Sequence, residues 1–67
     1  MGAVYKITEL VGTSANSYAD ATDTAMQRAM KKLRNVDWFE VVEMRGAVRD
    51  GKIEYQVKLK IGFRLED

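Results

Sequence analysis

The chain has 67 residues, no cysteine, no histidine, no proline and a formal net charge of +1. Those numbers leave room for one domain only, and they exclude disulfide staples, the commonest metal ligands and any catalytic dyad built on His or Cys. The near balance of acids and bases gives no electrostatic case for nucleic acid or an anionic membrane as partner, and no apolar run approaches the ~20 residues that span a bilayer. Met1-Gly2 starts the chain with Lys6 where a myristoylation motif wants Ser or Thr, and no signal-peptide pattern follows, so a cytoplasmic protein is expected.

The first element is a strand over residues 3–12, A-V-Y-K-I-T-E-L-V-G, rich in β-branched and aromatic types and closed by Gly12. A polar cluster, T-S-A-N-S, follows, with Thr13 and Ser14 as candidate N-caps. A phosphate-binding role for Gly12-Thr13-Ser14 lacks the lysine and the glycine spacing of a P-loop, so capping is the expected role. The next element is a helix over about residues 15–34. Tyr18, Ala21, Thr22, Ala25, Ala29 and Leu33, with Val36 beyond, recur at three- and four-residue steps and define one small-residue face. Asp20 and Asp23 lie early and Arg28, Lys31, Lys32 and Arg34 late, which complements the helix dipole, and Asn35 is the expected stop. Met26 and Met30 are read as packing at a core edge or interface.

Two long strands close the chain, over residues 36–49 and 52–65, joined by Asp50-Gly51, a type I′ hairpin signal. In the last strand Ile53, Tyr55, Val57, Leu59, Ile61, Phe63 and Leu65 alternate strictly with Glu54, Gln56, Lys58, Lys60, Gly62 and Arg64. That clean period suits a central strand, paired antiparallel to both others. A fourteen-residue strand reaches ~45 Å at 3.3 Å per residue, whereas a twenty-residue helix covers ~30 Å. The hairpin ends therefore overhang the helix, and a chain this small without disulfides is expected to lean on partner subunits.

The stretch D-W-F-E-V, residues 37–41, sets two large aromatics side by side. Neighbours in a strand point to opposite faces, so with Phe39 inward Trp38 points outward, on a face shared with Val36, Glu40, Val42 and Met44. An outward Trp38 is either glue at a subunit interface or a stacking platform for a planar ligand. Arg45 can lie against a ring or donate a fork of hydrogen bonds, and Gln56 offers both donor and acceptor, as a flavin or pterin edge would require. Glu9, Glu40 and Glu43 are the only candidates for acid–base chemistry and are read as solvated or ion-paired strand carboxylates.

E-L-V-G-T-S at 9–14, D-W-F-E-V at 37–41, R-G at 45–46, Y-Q-V at 55–57 and G-F-R-L-E-D at 62–67 occur together in order and spacing along the chain. In this combination the sequence resembles the bacterial dodecins, small flavin-binding proteins, over essentially its whole length. The resemblance implies an α+β fold, β-α-β-β, with a three-stranded antiparallel sheet partly wrapping one helix, in a single domain over residues 1–67. It implies a hollow homododecamer that binds flavin (FMN, riboflavin or a relative) in pairs stacked between tryptophans at two-fold subunit interfaces. Trp38 would be the stacking residue, Gln56 the polar contact to the isoalloxazine edge and Arg45 a further ligand contact. The implied role is storage or buffering of flavin with quenching of its photochemistry, without turnover. Some members also bind coenzyme A, for which Lys6, Arg28, Lys32 and Arg64 could supply charge. The alternatives are a purely structural shell or interaction module that binds another ligand, such as coenzyme A, and a carboxylate-based enzyme.

Overall fold

The computed structural model describes residues 2–66; Met1 of the Met-Gly start and Asp67 of the terminal motif lie outside them. The elements run β1 (Tyr5–Ser14), α1 (Tyr18–Lys32), β2 (Val36–Arg49) and β3 (Lys52–Arg64). The sheet order is β1-β3-β2, with both pairs antiparallel, so β3 is the central strand as its alternation predicts. Asp50 and Gly51 both have positive φ, 52° and 74°, as a type I′ turn demands.

The core lies between α1 and β3. Ala21, Ala25 and Ala29 pack on Val57, Leu59 and Ile61, with Leu10, Tyr18, Met26, Leu33 and Val36 around the rim. Alanine at every contact step lets the helix come close to the sheet. Gly12 marks the closest approach: a Cβ there would stand 2.8 Å from the Ala25 Cβ and overlap the Ala21 carbonyl. Gly12 therefore does not end β1, which continues to Ser14; it makes room for the helix.

The helix starts later than its pattern suggests, because the cap is Ser17. The Ser17 Oγ accepts from the Asp20 N–H at 2.9 Å. Ser14, expected as a cap, is buried at the end of β1. Its hydroxyl donates to Asp20 Oδ2 at 2.7 Å and accepts from the Asn16 N–H at 2.9 Å. At the other end α1 stops at Lys32, with Leu33 as C-cap, and Asn35 (φ 61°) turns the chain into β2.

The helix lies over β1 and β3 and barely reaches β2. At fifteen residues it spans ~22 Å, against a molecule 53 Å long. The overhang is correspondingly plain: Ile53 and Leu65 are exposed, while Tyr55 is half-buried beneath Tyr18, their rings 4.9 Å apart edge to face. Met30 is exposed and Met26 sits at the core edge. No helix among the described residues is long and apolar enough to cross a membrane.

Candidate functional site

Cross-strand partners in an antiparallel sheet share a face. The register therefore sorts the sheet into a helix side, carrying Val57, Leu59 and Ile61, and an outer side. Across the outer side run the rows Ile7–Gly62–Trp38, Glu9–Lys60–Glu40, Val11–Lys58–Glu43 and Thr13–Gln56–Arg45.

Two irregularities in β2 decide who belongs to that side. The register slips between Val36 and Trp38 and again between Val41 and Glu43, so Asp37 and Val42 are extra residues opposite β3. Each extra residue reverses the phase of the alternation. Val36 and Met44 consequently share the helix side with Phe39 and Val41, and not the face of Trp38, as strict alternation predicts. Trp38 and Arg45 are seven positions apart, an odd step that unbroken alternation would place on opposite faces. The Val42 bulge brings them onto the same one. Phe39 points to the helix side but is 48% exposed, because the helix does not extend over β2. The expectation that Phe39 fills the chain's own core is corrected on this point.

Trp38 is 41% exposed and lies over Gly62. Its ring centroid is 5.0 Å from that of Tyr5, tilted by 54°. The Tyr5 phenol is held above its ordinary pKa, chiefly by hydrogen bonding to the Asp37 carboxylate, with desolvation and the charge of Asp37 adding to it.

At the opposite end of the outer face, Arg45 Nε donates to Gln56 Oε1 at 2.6 Å, and Gln56 Nε2 donates to Glu54 Oε1 at 2.8 Å. Arg49 stands 3.5 Å from the same Glu54 oxygen. These contacts push the Glu54 carboxyl below its usual range, the Gln56 hydrogen bond first and Arg49 after it. They also orient the buried Gln56 amide, carbonyl toward Arg45 and NH₂ toward Glu54. One lone pair and one N–H of that amide remain for a further partner. With Val11, Glu43 and Lys58, Arg45 and Gln56 line a hollow of about 220 Å³.

Trp38 sits opposite Gly62 and Arg45 opposite Gln56. Six positions along β3 correspond to ~20 Å, longer than a fused tricyclic ring. One chain thus carries all three residues on one face but does not bring them together. The carboxylates considered for catalysis are interrupted by lysines: Glu9 and Glu40 flank Lys60, and Glu43 faces Lys58. The basic residues considered for coenzyme A are scattered too. Arg28 and Lys32 border one groove with Thr8, Leu10, Ala29 and Leu33. Lys6 pairs with Phe63 on the helix side of the sheet, and Arg64 pairs with Tyr5 on the outer side. Gly62 and Tyr5 escaped the sequence reading; the glycine breaking the last strand's polar face was the available signal.

The chain is thus a short β-α-β-β unit with a thin core, an uncovered edge strand and an open aromatic on its outer face. Residues 4–66 match the Dodecin family model. The chain is 53% identical to a dodecin from Thermus thermophilus, covering 100% of this chain and 99% of the relative. A solved dodecin from Streptomyces davaonensis superposes with a TM-score of 0.93 at 44% identity, covering 100% of both chains. A calcium dodecin from Mycobacterium tuberculosis is 36% identical, over 94% of this chain and 90% of its own. The chain belongs to the dodecin family.

Proposed function

We propose that this protein binds flavin without turning it over, holding the isoalloxazine between subunits as a store or buffer. The observation that carries this reading is the division of the outer face. Trp38 lies open at one end, and the Arg45–Gln56 pair, already hydrogen-bonded, lines a hollow at the other. A ring stacked on Trp38 cannot reach Gln56 of the same chain. A second copy related by a two-fold axis brings its own Arg45 and Gln56 to the first Trp38, and the symmetry repeats the site. Stacking contributes about 0.5–1.5 kcal/mol beyond area burial, and the free N–H and lone pair of Gln56 match the amide-like edge of a flavin.

Assembly into a dodecamer is part of the same proposal. Among the described residues only Val57, Leu59 and Ile61 are large side chains that are fully buried, while Phe39, Val41, Met44 and Val48 of β2 are uncovered. Partner chains would supply the cover. The lysines between Glu9, Glu40 and Glu43 support binding over acid–base catalysis.

The test is titration of FMN and riboflavin fluorescence at micromolar protein, alongside the mass from light scattering. Quenching with one flavin per chain, on a particle of twelve chains, is the expected result. Unquenched flavin on an assembled particle removes the reading.

A further inference from the structure

We propose that Gly62 and Tyr5 form a seat that sets the orientation of the Trp38 indole before ligand arrives, making them positioning residues of the stacking site. The inference rests on the flavin reading for its ligand, though not for its geometry.

Gly62 lies on the outer face of the central strand, two residues before its end at Arg64, and a glycine inside a strand weakens it. Its backbone does not call for one, since Gly51 is the only described glycine in the positive-φ region. The indole does. A Cβ at Gly62 would overlap Trp38 Cε2 and Cζ2 and stand 2.6 Å from Cη2. The six-membered ring therefore rests on the bare backbone of β3, its cross-strand neighbour. Tyr5 closes one side from β1, with its ring 5.0 Å away at 54°.

Floor and wall together leave the indole's outward side for a ligand. That explains why the G of G-F-R-L-E and the D-W of D-W-F-E-V belong to one device. A ring already held in place loses little freedom when a ligand stacks on it, and the affinity retained is the gain of preorganisation.

Trp38 is the only tryptophan in the chain, so its fluorescence and near-UV circular dichroism report the seat directly. In flavin-free Gly62→Ala the indole signal should change and its accessibility to acrylamide should rise. FMN affinity should fall about tenfold, the size of one well-formed aromatic stack. Tyr5→Ala should do the same more weakly, and Tyr5→Phe, which keeps the wall, should restore both signal and affinity. An unchanged indole signal and affinity in Gly62→Ala overturns the seat. If Gly62→Ala fails to fold, the Tyr5 pair decides: Tyr5→Ala indistinguishable from the parent overturns it. If the indole signal moves as expected but the parent protein never binds FMN, the seat stands and the flavin reading falls.

Discussion

β2 and β3 are joined by a two-residue turn and are almost equally long, fourteen and thirteen residues. Their environments differ sharply. β3 buries Val57, Leu59 and Ile61 completely, whereas Phe39, Val41, Val42, Met44 and Val48 of β2 are all exposed. Composition does not separate the two strands; position does. The helix settles over β1 and β3, and β3 has a neighbour on each side, so one strand becomes the core and the other becomes surface. The same kind of apolar side chain thus holds the chain together in β3 and stays uncovered in β2.

The sharpest way to break that contrast is to shorten one residue in each strand of a matched row. Val41 and Leu59 are cross-strand partners. Leu59→Ala should cost about 2–5 kcal/mol in denaturant unfolding, as for a fully buried leucine. Val41→Ala should cost little in the subunit itself and act on assembly, lowering the mass seen by light scattering. Equal losses of unfolding stability with mass unchanged would contradict the division of labour.

Next in size is Trp38→Ala. Loss of both stacking area and orientation should weaken FMN binding by at least tenfold, while far-UV circular dichroism stays that of the parent. Loss of the assembled particle instead would make Trp38 subunit glue. Arg45→Met comes third. It removes the donor to Gln56 Oε1 and should weaken FMN binding about fivefold, the effect of one partly exposed charged hydrogen bond near 1 kcal/mol. Isothermal titration would find no change if the pair plays no part in binding.

The smallest effect concerns Glu54. Its folded-state pKa is depressed, first by the Gln56 hydrogen bond and then by Arg49. A depressed carboxylate contributes stability that is fully present above its unfolded pKa, roughly 4.3. That contribution is lost as pH falls through the lower folded value. The stability difference between the parent and Glu54→Gln should therefore be flat at neutral pH and shrink below roughly pH 4. A difference independent of pH would show that the carboxylate charge is not what anchors Gln56.

Much of the fold was legible. Asp50-Gly51 announced its turn, the alternation of residues 53–65 announced a central strand, and the alanine steps announced the helix face that became the core. The errors were local and have one kind of cause. Thr13, Ser14 and Ser17 are all good caps by type, and only the folded turn shows that Ser14 is spent on Asp20 and Asn16 while Ser17 caps. Along β2, alternation was carried through two extra residues that leave no mark in composition, and Val36 and Met44 were therefore given the wrong face. Trp38 was rightly turned outward, but for an incomplete reason, since Phe39 opposite it is not buried either.

The amino-acid sequence by itself determined the element order, the central place of β3 and the small-residue helix face. Those are properties of local propensity and of periodicity, which neighbouring residues carry between them. Only the tertiary structure decided that the Val42 bulge puts Trp38 and Arg45 on one face, that ~20 Å separates Trp38 from Gln56 in a single chain, and that Gly62 lies beneath the indole. Register and helix placement are settled by packing between segments distant in the chain, and no window of sequence contains both partners at once.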